Sequence, residues 1–327
     1  MVPRPYGRCP TLALPSHHRT LNPSPDLAAR QARWVLLAAL LFASMGVAIK
    51  YAVQYVGIFE VVMYRGLVGT VLLGLAMRRA SVSLATRYPG MHAWRAMIGT
   101  ASLSCWFYAI GYIPLPTAMT LNYMSSIWVA AFVLGGALLA RRSAQAWHEH
   151  APMMGAVLLG FVGVALLLRP TLASDQALPS AVGLLSGLGA ALAYMQVTAL
   201  TRLGEPASRV VFYFSLGSAV VGAVAALPQG LSWPGWNGAW WLLCVGALAA
   251  GGQLALTRAY ASGATMLVAN LQYTGIVFAS LFGIWLFGDT LPWYSWLGMV
   301  LIVACGMVAS WLRARHNAAQ HRSTTSS

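Results

Sequence analysis

The chain has 327 residues, 59% of them hydrophobic and 8% charged, with a formal net charge of +14. A soluble domain carries roughly 25% charged residues, so this composition excludes a water-covered surface and calls for lipid. The basic excess then reads as membrane topology and contact with anionic headgroups, not as nucleic-acid binding.

Residues 1–33 hold five arginines, several prolines and His17-His18, but no apolar stretch before Trp34. That is not the layout of a cleavable signal peptide, and a disordered cytoplasmic tail is expected. Ten apolar runs follow, at 34–53, 58–77, 92–112, 115–140, 152–169, 180–201, 210–228, 237–259, 264–287 and 291–312. Each is long enough to cross a hydrocarbon layer of about 30 Å as a helix. Pro114 and Pro116 separate the third run from the fourth, because proline cannot continue a helix. Residues 170–179 are expected to link two halves, 34–169 and 180–312, and 313–327 to form a cytoplasmic C-terminal tail. The fold class is all-α, a polytopic membrane protein of ten transmembrane helices.

Of the 20 Lys and Arg residues, 17 lie in or near the edges of the gaps before the first run, after every second run and after the last. The other gaps hold only Lys50 and Arg169. By the positive-inside rule both termini are cytoplasmic in a bacterial-type inner membrane. Cys9, Cys105, Cys244 and Cys305 are scattered singly and read as small core residues, not as disulfides or metal ligands.

Residues 108–132 resemble residues 257–281, about 148–149 positions further on. Each stretch is a helix end, a short turn of small residues, and a helix with a polar cluster in its middle. Spans three and four thus correspond to spans eight and nine, which gives two halves of five spans. Five is odd, so the second half enters the membrane inverted, an architecture of many secondary transporters.

Phe42-Ala-Ser-Met, Lys50 and Phe59-Glu60-x-x-x-Tyr64-Arg65-Gly66 resemble the first hairpin of EamA-type proteins of the drug/metabolite transporter superfamily. So does Tyr112-Ile-Pro-Leu-Pro-Thr-Ala118. Arg258-Ala-Tyr260, Asn270-Leu-Gln-Tyr273, Leu286-Phe-Gly-Asp289 and Leu297-Gly-Met-Val-Leu-Ile302 look like the same domain repeated. The resemblance covers residues 34–312 and implies two inverted five-helix repeats that carry small metabolites across a membrane. The Glu60/Tyr64-Arg65 hairpin is most similar to the S-adenosylmethionine and riboflavin uptake type. One departure is visible: 135–142 ends in Arg141-Arg142 without the acid many members carry, while Asp289 is retained.

The polar clusters inside spans are the candidate solute site. Span four contributes Asn122, Tyr123, Ser125 and Ser126, and span nine Asn270, Gln272, Tyr273 and Thr274. Trp106, Tyr194 and Gln253 join them from spans three, six and eight. Amides read polar edges, and tyrosines stack and donate, which suits a zwitterionic or heteroaromatic solute. The bland alternative for each residue is interhelical glue, worth about 0.6 kcal/mol. Glu60, Arg65 and Lys50 are the candidate gate or coupling charges, with a Lys50–Glu60 contact expected across the first hairpin. Asp289 reads equally as a cap for span ten or as a gate.

No histidine lies well inside a span, and no HExxH, nucleophile elbow or phosphate loop is present. A catalytic site, a cofactor, a metal centre and an ATP-driven pump are therefore not expected. The expected partners are a small-molecule substrate and the bilayer. Proton or counter-solute coupling and a homodimer stay open, as do an efflux carrier of the same fold and a non-transporting scaffold or receptor.

Overall fold

A computed structural model of the chain describes residues 25–140, 144–172, 176–261 and 271–325. Eleven α-helices make up these residues, with no strand among them. In chain order they are α1 (Pro25–Ala52), α2 (Ile58–Arg79), α3 (Pro89–Tyr112), α4 (Leu115–Tyr123) and α5 (Ser125–Ala140). Then come α6 (Ala144–Leu172), α7 (Ala177–Arg202), α8 (Ala207–Ala226), α9 (Gly235–Ala261), α10 (Thr274–Phe287) and α11 (Trp293–Thr325).

Among the described residues, five segments are long and apolar enough to cross a membrane. These are Ala32–Ala52, Ile58–Arg79, Ala177–Val197, Ala207–Gln229 and Gly235–Leu256. Shorter apolar stretches run over Met154–Leu167, Thr274–Phe287 and Trp293–Val308. The outer faces carry apolar residues such as Val71, Leu158, Val220, Val277 and Val300, the surface that lipid covers.

The proline break holds: α3 stops at Tyr112 and α4 starts at Leu115, with Pro116 in its first turn. Two other boundaries differ from the sequence expectation. α1 already begins at Pro25, and α11 runs on to Thr325, so helix replaces expected tail over 25–33 and 313–325. Alanine, arginine and glutamine in both stretches are good helix formers that let the spans continue into the polar flanks. Residues 1–24 lie outside the described residues.

The fourth run is broken at Met124 into α4 and α5, where one helix was expected. Neither proline nor glycine causes this break. The Ile127 N–H bonds back three residues to the Met124 carbonyl at 2.8 Å, a tightening that interrupts the α ladder.

In lipid, apolar burial alone does not pull helices together, so close backbone approach matters. The main pairings are α1 with α9, α2 with α8, α3 with α7, and α6 with α11. α2 and α8 meet at Gly66, where a side chain would strike the Ala219 backbone. α6 and α11 meet at Gly163 and Gly298, each facing the other's backbone. The bundle has two ends. At the Lys50 end Trp233, Trp236, Trp240, Trp285 and Trp293 stand exposed, an aromatic girdle at the membrane boundary. At the opposite end lie Glu205, Arg209 and the α2–α3 loop.

Candidate functional site

The short helix α4 is the centre of the molecule: every residue of it but Asn122 is buried. It packs against α1, α3, α7 and α10. Its C-terminal break at Met124 faces the turn at Gln272 and Tyr273 that precedes α10. There the Gly275 and Ile276 N–H groups also bond back three residues, to Gln272 and Tyr273, both at 3.0 Å. Both interruptions fall in the polar clusters, where irregular backbone can be satisfied inside protein and not in lipid.

Tyr123 and Tyr273 meet edge to face across this junction, with ring centroids 6.2 Å apart. Glycines make the room. A methyl group at Gly275 would strike the Tyr123 hydroxyl, and one at Gly306 the Tyr273 hydroxyl. Tyr194 of α7 shares a side-chain hydrogen bond with Gln272 and lies within electrostatic reach of Tyr123 and Arg95. These neighbours come from three other parts of the bundle, so the ring points inward. It keeps 38% of its surface accessible.

The remaining expected residues divide. Asn122 donates to the Ser186 hydroxyl at 3.4 Å, and Ser102 donates to the Ser186 carbonyl at 2.7 Å. Those bonds tie α3, α4 and α7 together, so Asn122 serves the frame beside the junction. Trp106 is buried on α3, and its indole N–H has no partner among the described residues. Gln253 is half-buried on α9. Asn270 lies outside the described residues.

The charged groups are rearranged relative to expectation. Lys50 does not contact Glu60. Its ammonium sits 3.5 Å from an Asp289 carboxylate oxygen and 4.4 Å above the Phe287 ring. The other Asp289 oxygen accepts the Leu115 N–H at 3.1 Å, so this carboxylate caps α4 and not span ten. Gly288 makes the placement possible: its φ of +63° ends α10 in a left-handed turn, closed by the Asp289 N–H on the Gly283 carbonyl at 3.0 Å. Glu60 turns back to its own helix start, accepting the Gly57 N–H, and also accepts the Ser232 N–H, both at 2.9 Å. Sequence distance hid the Lys50–Asp289 and Glu60–Ser232 pairings, whose partners lie 239 and 172 residues apart.

Arg65 and Arg95 are buried on α2 and α3, at 3% and 8% exposure. Their guanidinium carbons lie 5.2 and 4.3 Å from the Phe214 ring centroid. Neither makes a hydrogen bond or ion pair among the described residues. Arg95 had counted only toward topology. Gly99 one turn on, which clears the space its guanidinium fills, is the sequence signal that could have singled it out.

Glu205 also went unnoticed, although the chain has only six acids. It accepts from the Thr86 hydroxyl at 2.8 Å and from Arg209 at 3.0 Å, with His92 Nε2 at 3.4 Å. Burial pushes this carboxyl up. The hydrogen bonds and the Arg209 charge outweigh that and hold it below the ordinary value. An apolar cleft between α2 and α9, lined by Val68, Trp233, Pro234 and Leu242, lies apart from these groups and offers little polar surface to orient a solute. No group of three or more metal-ligating side chains occurs among the described residues.

The chain is 32% identical over 276 residues to the pseudopaline exporter CntI of Pseudomonas aeruginosa, covering 83% of this chain and 92% of that one. It is 29% identical over 284 residues to an uncharacterised transporter of Helicobacter pylori, covering 84% and 92%. No family model matches. A crystal structure at 18% identity shares the fold with a TM-score of 0.55, covering 88% of this chain and 98% of that chain.

Proposed function

The chain belongs to the membrane-transporter family of the pseudopaline exporter of Pseudomonas aeruginosa, and from that premise we propose that it is a ten-span EamA-type carrier that exports a small organic metabolite by alternating access. The observation that carries this is the meeting of the α4–α5 break and the turn that opens α10, at Tyr123 and Tyr273, beside an accessible Tyr194. Broken helices that converge near the middle of a bundle are where carriers of this kind hold their solutes.

The helix pairings support an inverted repeat. Exchanging α1, α2, α3 and α6 for α7, α8, α9 and α11 turns the α1–α9 contact into α7–α3, and α2–α9 into α8–α3, while α2–α8 and α6–α11 map onto themselves. Such an exchange symmetry is what a two-fold axis in the membrane plane produces. Export is favoured over the uptake type because a relative matched over 83% of this chain is named an exporter. Cytoplasmic termini, an inner-membrane location and the absence of catalysis complete the proposal.

The test is transport into inside-out vesicles with a metabolite panel that includes amino acids, riboflavin and S-adenosylmethionine. Uptake above that of empty vesicles, lowered by Gln272→Ala, is expected. No solute moving faster than in empty vesicles overturns the reading.

A further inference from the structure

We propose that Arg65, Arg95 and the Phe214 ring between them form a subsite for a dianionic organic carboxylate. This deepens the transporter reading and rests on it.

Both guanidinium groups are more than nine-tenths buried, and Arg65 Nε, Arg95 Nε and Arg95 Nη1 are buried donors without an acceptor among the described residues. Two like charges in a lipid-embedded core, without a counter-charge, are costly. Among the described side chains, the acids Glu60, Glu205 and Asp289 do not relieve them, because each is engaged elsewhere. The two groups share one aromatic ring, so their carbons are separated by at most the sum of 5.2 and 4.3 Å. That span suits two acidic groups on one small molecule. Gly99 gives the Arg95 guanidinium and the Phe214 ring their room, because a Cβ there would collide with Arg95 Nη1 and the ring. Planar guanidinium groups give carboxylates paired, charge-assisted hydrogen bonds. Arg95 lies within electrostatic reach of Tyr194, so the arginines adjoin the tyrosine junction. A solute can therefore place its acids at the arginines and its body against Tyr194 and Gln272.

Thermal unfolding of the full chain in nanodiscs, titrated with succinate, citrate, succinamide, sodium chloride and sodium phosphate, tests this. Succinate or citrate is expected to raise the unfolding temperature saturably, and succinamide is not. Arg65→Gln and Arg95→Gln should each weaken the response about tenfold or more, while Arg79→Gln leaves it unchanged. An unaltered response in both variants overturns the subsite. So does equal protection by chloride or phosphate, which would mark an inorganic anion only. Should Arg95→Gln fail to fold, Arg95→Lys keeps the charge without the planar fork. An intermediate loss supports the subsite and full retention opposes it. Vesicle transport separates the two claims. Arginine-dependent binding without movement sinks the transporter reading alone. Movement of a neutral solute that Arg65→Gln and Arg95→Gln leave intact, with no carboxylate binding, sinks the subsite alone.

Discussion

Glu60 and Arg209 each stand third in their helices, α2 and α8, 149 residues apart, and each holds the backbone of a serine in the opposite half of the chain. Glu60 accepts from the Ser232 N–H at 2.9 Å, and Arg209 donates to the Ser83 carbonyl at 2.7 and 3.0 Å. Ser83 and Ser232 are themselves 149 residues apart. One clamp is thus built twice, once from an acceptor and once from a donor, at opposite ends of the bundle. Together with the glycine crossing at Gly66, the two clamps pin α2 and α8 to the loops of the opposite half.

Glu60→Ala strands two backbone N–H groups and should cost roughly 1–3 kcal/mol of stability. Arg209→Ala should cost a comparable amount, since it also leaves Glu205 short of a partner. The clamps share no residue, so the double variant should be additive to within about 0.5 kcal/mol. Chemical unfolding of the four proteins in detergent reads this. A coupling well above that figure would show that the two ends are not independent.

Acid should release the Glu205 clamp. The folded-state pKa of Glu205 lies below its ordinary value of 4.5, so its stabilising contribution is present above pH 4.5 and is lost as pH falls through the folded value. The groups facing it are Arg209, His92 and Thr86, with the Tyr213 ring tilted against His92 at 4.7 Å. Glu205→Gln should be less stable than the parent near neutral pH and should flatten the fall in unfolding temperature below pH 4.5. An acid limb that stays equally steep in the variant would assign it to other carboxylates.

Asp289 holds two unlike partners, and substitutions separate them. Asp289→Asn retains an oxygen for the Leu115 N–H but loses the ion pair, as Lys50→Gln does from the other side. Asp289→Ala loses both and leaves a helix-start N–H orphaned, for roughly 1–3 kcal/mol. The order of unfolding temperatures should be parent, then Lys50→Gln and Asp289→Asn together, then Asp289→Ala. An Asp289→Asn as damaging as Asp289→Ala would make the ion pair the dominant bond.

The sequence showed the spans and the tyrosine junction for physical reasons. Pro114 and Pro116 mark a helix break locally, and the two similar stretches 108–132 and 257–281 each carry one of the tyrosines, Tyr123 and Tyr273, that meet in the fold. Other features depend on packing across long separations. Lys50 finds Asp289 across 239 residues, and Arg95 is recognisable as buried only once α8 sets Phe214 against it. The break at Met124 carries no local signal, because no proline or glycine stands there.

The glycines at the junction give the sharpest test of its geometry. Gly306→Ala places a methyl group against the Tyr273 hydroxyl, and Gly275→Ala one against the Tyr123 hydroxyl. Both helices are packed too closely to give way freely, so each variant should lose roughly 1–3 kcal/mol. Transport should fall too, because the displaced ring shifts the wall beside Gln272. Removing the obstructing oxygen should undo the damage: Tyr273→Phe is expected to rescue Gly306→Ala, and Tyr123→Phe to rescue Gly275→Ala. Crossed combinations should not rescue, since each glycine faces its own tyrosine. Unfolding temperature and initial transport rate, measured over all the single and double variants, distinguish the outcomes. Equal rescue by matched and crossed pairs would show that the rings are not seated on these glycines. Recovery of stability without recovery of transport would assign the hydroxyl itself to the solute.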